Sequence, residues 1–106
     1  MADIEQIRRR LERAFRPEAA RGFDHVYQFR FDDAHEAFYA RIREGELEVG
    51  AGEHPEPAVT FLFDAPETAI EVIEGRADGT QVFMQGRIRT DGNLILAMQL
   101  GRLFGA

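Results

Sequence analysis

A helix with almost no polar side has few places to go in a small soluble protein. Residues 94–104 of this chain, LILAMQLGRLF, predict such a helix. Leu94, Ile95, Leu96, Ala97, Met98, Leu100, Leu103 and Phe104 place apolar groups nearly all the way round, and only Gln99 and Arg102 are clearly polar. A helix apolar on most of its faces is ordinarily buried on most of its faces. Only Gly105 and Ala106 follow it. The expectation is therefore that one side packs on a sheet and the other meets an apolar ligand cavity or a partner.

Composition supports an interior of the same character. The chain has nine Phe against two Tyr and no Trp. Phe carries no polar handle, so this usage asks for a thick core or a greasy cavity rather than a polar active site. A length of 106 residues predicts one domain spanning the whole chain, 1–106. A chain of this size buries roughly two-thirds of its unfolded surface.

The stretch before the helix is punctuated by turns. Gly75–Gly79 is a glycine-bounded turn, Val82, Phe83 and Met84 form an apolar knot, and Gly86 breaks the chain. Arg87–Thr90 alternates polar and apolar, the period of a half-buried strand. Ile88 then points inward, and Arg87 and Arg89 share the exposed face. Asp91-Gly92-Asn93 is a turn in which Asn93 caps the last helix.

Earlier segments follow the same logic. Asp3 is placed to cap a first helix whose stripe is Ile4, Ile7, Leu11, Ala14 and Phe15, with Glu5 and Arg9 as an i,i+4 pair. Pro17 ends it, and 18–21 adds a turn. Strands are predicted at 25–31, 35–43, 46–49 and 58–63. Tyr27, Phe29 and Phe31 share one face of the first strand, opposite Val26, Gln28 and Arg30. Phe38, Ala40 and Ile42 face inward from the second, Leu47 and Val49 from the third, and Val59, Phe61 and Phe63 from the fourth. Asp32-Asp33 and Glu44-Gly45 supply turns that make the first three strands a meander, and 50–57 is a Pro/Gly loop. Asp64 is placed to cap a helix with Pro66 in its first turn, Ala69, Ile70, Val72 and Ile73 inward, Glu67, Glu71 and Glu74 wet, and Gly75 at its end. The sum is an α+β arrangement, a mainly antiparallel sheet with helices on one face.

Several function classes are disfavoured. Thirteen basic and nineteen acidic residues give a net charge of −6, which argues against a nucleic-acid surface and against bulk adsorption to anionic membranes. At most transient membrane contact is expected, with Arg8-Arg9-Arg10 as its local candidate and a solvated helix face as the plainer use. There is no Cys and no Ser, which removes disulfides, thiolate metal sites and Cys or Ser nucleophiles. His25, His35 and His54 form no ligand spacing, although the first two could meet across a hairpin, so no metal and no cofactor is expected. The Gly-rich turns lack the strand–loop–helix context of a phosphate loop. The N-terminus lacks a signal-peptide core, and no run reaches membrane-span length. A cytoplasmic location is the default expectation.

The closing segment resembles that of sterol carrier protein-2 (SCP-2) domains. The residues that carry the resemblance are Phe83, Gln85, Gly86, Ile88, Gly92, Asn93, Leu96, Ala97, Met98 and Leu100, in that order, and a looser likeness covers the rest. The resemblance implies a five-stranded sheet with helices over one face. It also implies an apolar tunnel between them that takes sterols, fatty acids, acyl-CoAs or isoprenoids without catalysis. Carried onto this chain, the lining is Phe61, Phe63, Ile73, Val82, Phe83, Met84, Ile88, Leu94, Ala97, Met98 and Leu100. Gln85 is either a headgroup contact or a turn residue. Two departures from the pattern are the shortness of the chain, which ends without a peroxisomal-type tripeptide, and the lack of a fused enzyme domain. An interaction module or homodimer using the same helix, or an accessory factor presenting lipid to separate enzymes, are the alternatives.

Overall fold

The computed structural model describes residues 4–32 and 36–105. The proposed cap at Asp3 and the approach of His25 to His35 lie outside the described residues. Helix α1 (Ile4–Ala14) leads through a 3-10 turn (Pro17–Ala20) into strand β1 (Asp24–Phe31). Strands β2 (Phe38–Arg43), β3 (Glu46–Ala51) and β4 (Val59–Phe63) follow, then α2 (Pro66–Ile73), α3 (Gly79–Met84), β5 (Ile88–Gly92) and α4 (Leu94–Leu103).

The sheet order is β3-β2-β1-β4-β5. All neighbours are antiparallel except β1 and β4. The β2–β3 turn carries Glu44 at φ 52° and Gly45 at φ 80°. Two successive left-handed residues define the hairpin turn whose twist matches that of the strands. Registration pairs Tyr27 with Val59 and Ala40, and Phe29 with Phe61 and Phe38. One sheet face is therefore aromatic. Phe29 stacks on Phe38 at 4.7 Å between centroids and on Phe61 at 5.5 Å, and Tyr27 lies 6.0 Å from Phe61. Such pairs add about 0.5–1.5 kcal/mol each beyond area burial.

Helices α1, α2 and α4 cover that face. Ile7, Leu11 and Ala14 supply the buried stripe of α1, and Ala69, Ile70 and Ile73 that of α2. Glu5 pairs with Arg8 at 3.1 Å rather than with Arg9, using the i,i+3 spacing. The arginine run is only partly a solvated face. Arg8 donates to the Val49 carbonyl at the sheet edge (3.1 Å), and Arg10 grips Glu74 of α2 through two bonds of 2.8 and 3.0 Å.

The opposite sheet face is not left to solvent. Val26 and Gln28 are buried there, because residues 52–58 cross the face from β3 to β4. Gln28 pins this crossing. Its amide nitrogen donates to the carbonyls of Phe38 (3.1 Å) and Gly52 (3.0 Å), and its oxygen accepts from the His54 N–H (2.8 Å). Strand β3 runs two residues beyond its expected end. Gly50 stands opposite Tyr39, and the Tyr39 ring occupies the space a Cβ would need. Glycine thus serves here as a ring platform within a strand rather than as a loop residue.

Asp64 does not cap α2. Ala65 holds the cap position without a side-chain bond. The Asp64 carboxylate instead accepts from Arg87 at 3.0 Å, while Arg87 also donates to Thr68 Oγ1 at 2.8 Å. This cluster clips the start of β5 to the first turn of α2. The apolar knot at 82–84 is not irregular: it belongs to the short helix α3, whose first N–H groups are capped by Asp78 accepting from Thr80 N.

Candidate functional site

The residues expected to line a cavity divide into two sets. Phe61, Phe63, Ile73, Val82, Ile88 and Leu100 are buried in one core cluster, with Ala97 half-buried against it. Phe83, Met84, Leu94 and Met98 face solvent, at 55, 79, 62 and 82% exposure. Ile95 joins them at 70%. Gln85 is exposed at the C-terminal end of α3, and its backbone N–H bonds the Gln81 carbonyl.

Helix α4 corrects the expectation of burial on most faces. Asn93 caps it as expected, accepting from the N–H groups of Ile95 (3.0 Å) and Leu96 (3.1 Å). Its C-terminal half is anchored. Leu100, Leu103 and Phe104 are buried. Phe104 also bridges Phe15, where Arg16 N–H donates to the Leu103 carbonyl (2.8 Å) and Gly105 N–H to the Ala14 carbonyl (2.9 Å). The N-terminal half is covered on one side only. Leu96 and Ala97 lean on the core, and Leu94, Ile95 and Met98 form a bare stripe at helical spacing. The covering side is held by the Tyr27 hydroxyl, which donates to the Leu96 carbonyl at 2.8 Å. Tyr27 is fully buried, and burial pushes its phenol pKa up to about 12. Sequence reasoning placed Tyr27 in an aromatic stripe without a role. The signal available was that it alone in the Tyr27/Phe29/Phe31 row carries a polar tip.

A pocket lies elsewhere on the molecule. It has a volume of about 490 Å³, lies at the β3 edge, and is lined by Arg8, Glu12, Arg41, Arg43, Glu46 and Glu48, with Leu47 and Val49 at its base. None of the expected lining residues belongs to it. On the sheet face beneath the helices the rings of Tyr27, Phe29, Phe38 and Phe61 stack on one another. Among the described residues no cluster of His, Asp or Glu could hold a metal, and no helix is long and apolar enough to cross a membrane.

An aromatic sheet face beneath helices whose outer faces still carry large apolar side chains defines an α+β domain organised around apolar surface. The chain belongs to the SCP-2 sterol transfer family, whose model matches residues 4–105. The class of function this implies is binding or transfer of apolar lipid. Solved structures share the fold. The sec-alkylsulfatase Pisa1 from Pseudomonas sp. matches at TM-score 0.76 and 20% identity over 88% of this chain, which spans only 15% of the sulfatase's length. A palmitated SCP2L2 from Aedes aegypti matches at TM-score 0.69 and 24% identity, covering 93% of this chain and 87% of that one. The sterol carrier protein domain 2 of Helicoverpa armigera matches at TM-score 0.63 and 28% identity, covering 82% and 68%. No curated protein matches the chain.

Proposed function

We propose that this domain is a non-catalytic carrier that takes an apolar lipid between its sheet and helix α4. Candidate ligands are a sterol, a fatty acid, an acyl-CoA or an isoprenoid. The observation that carries this reading is the half-covered α4. Leu94, Ile95 and Met98 are exposed on a helix whose other side rests on the core. At 3.6 residues per turn they lie about half a turn from Leu100 and Leu103, so α4 must roll or lift substantially for them to reach a ligand on the sheet side. Each methylene moved out of water contributes about 0.8 kcal/mol, so an acyl chain or sterol body suffices to offset the cost of displacing α4. Family membership and the palmitated relative favour the same class of ligand.

A fluorescent fatty acid titrated into delipidated protein tests the reading. Saturable binding with one site per chain is expected. A protein that binds neither a fluorescent fatty acid nor a fluorescent sterol refutes it. The same bare stripe also suits a second copy of the chain, since exposed apolar patches commonly mark interfaces. Sedimentation across a concentration series separates the two: a monomer throughout leaves the carrier reading, and a tight dimer that binds no lipid replaces it.

A further inference from the structure

On the inner face of the sheet, Tyr27 is, among the described residues, the one fully buried side chain with a polar tip. In register with it stand Ala40 on one side and Val59 on the other, and the Phe61 ring stacks beside it at 6.0 Å. Its hydroxyl has a single partner among the described residues, the Leu96 carbonyl on the underside of α4. Any molecule that enters between sheet and α4 separates that pair. The two partners fare differently. In the α-helical ladder the Leu96 carbonyl keeps the Leu100 N–H, whereas the phenol is left as a donor in an apolar space. A buried donor without an acceptor costs about 1–3 kcal/mol.

Resting on the carrier reading above, we infer that Tyr27 is a ligand-binding residue, and that its hydroxyl passes from the Leu96 carbonyl to an oxygen acceptor on the lipid. The favoured ligand class is an apolar body bearing one acceptor oxygen (a hydroxyl, carbonyl or carboxyl), rather than a bare hydrocarbon. The phenol thus selects the polar end of the ligand and sets its orientation beneath α4. The raised phenol pKa keeps the group protonated, hence a donor, throughout the physiological range.

Dodecan-1-ol and 1-chlorododecane have equal chains and differ at the terminal group. Each is used to displace a dansyl fatty acid from delipidated wild-type protein and from Tyr27→Phe. The ratio of their displacement midpoints, compared between the two proteins, cancels chain hydrophobicity. A loss of about fivefold or more in the preference for the alcohol is expected in Tyr27→Phe, the fold-change of one neutral hydrogen bond. A second measurement needs no variant. With ring-labelled tyrosine, the Tyr27 Cζ resonance moves to different positions with dodecan-1-ol, which leaves the phenol hydrogen-bonded, and with 1-chlorododecane, which leaves it unpaired, while Tyr39, the only other tyrosine, stays put as the control. An unchanged preference, or a Tyr27 signal that moves alike with the alcohol and the chloride, in protein that binds the reporter overturns this inference alone. A reporter that binds neither protein overturns the carrier reading as well.

Discussion

Single residues hold the two faces of this sheet to their coverings. Gln28 satisfies three backbone groups from a buried position. Replacing it by Leu leaves two carbonyls and one N–H without it, at a cost of about 1–3 kcal/mol. Gln28→Leu is expected to lower the denaturation midpoint accordingly, and an unchanged midpoint means the crossing at 52–58 is held by other contacts. Two carboxylates tie helices to their neighbours in a pH-dependent way. Burial pushes Asp64 upward, but its polar neighbours Thr68 and Arg87 outweigh this and hold it below the usual carboxylate range. Glu74 is held low chiefly by the Arg10 hydrogen bond, against burial and with help from Arg76. A carboxyl whose folded pKa is depressed contributes stability that is complete above its unfolded value, about 4, and is lost as pH falls through the folded one. Thermal melts between pH 5 and 2 are therefore expected to fall less steeply in the Asp64→Asn/Glu74→Gln protein than in wild type. Parallel curves assign the acid sensitivity to other groups.

At the scale of elements, the proposed carrier role rests on α4. Asn93→Ala removes the acceptor for two first-turn N–H groups and is expected to cost about 1 kcal/mol, read as a lower midpoint in a denaturant melt. Met98→Glu places a charge on a side chain that is already exposed, so the fold survives. Uptake of a fluorescent fatty acid is expected to be lost, and unimpaired uptake removes Met98 from the ligand site. Most of the elements were legible in the sequence because period and turn chemistry agree there. The inward rows of β1, β2 and β4 alternate cleanly, Glu44-Gly45 fixes one hairpin, and Asn93 caps as its position dictates. What was not legible depends on tertiary partners. The burial of Val26 and Gln28 was not legible, because no local pattern reveals that residues 52–58 cross over them. Gly50 looks like a loop residue because its neighbour, the Tyr39 ring, comes from another strand. Asp64 precedes a helix, yet Arg87 from a distant strand claims its carboxylate. Which half of α4 stays bare was not legible, because an all-apolar helix carries no record of which half its sheet covers.

As a whole molecule, the domain stacks aromatic rings on the sheet face beneath its helices, and it leaves apolar side chains outside on α3 and α4. These two facts fit together if α4 and the rings yield to a guest. Anchors at Leu103, Phe104 and the Phe15 bridge hold the far end of α4, while one side-chain hydrogen bond, from Tyr27, fastens the near half to the sheet. All thirteen basic residues are arginine, and several spend their guanidinium groups tying the helical layer to the sheet edge and to itself. The most direct test is NMR of methyl-labelled protein titrated with a stearic acid carrying a nitroxide on its chain. Saturable broadening strongest at the buried methyls of Ile73, Val82, Ile88 and Leu100 is predicted, since the effect falls steeply with distance and a chain under the helices lies nearest these four. Broadening confined to Leu94, Ile95 and Met98, or none that saturates, contradicts the account.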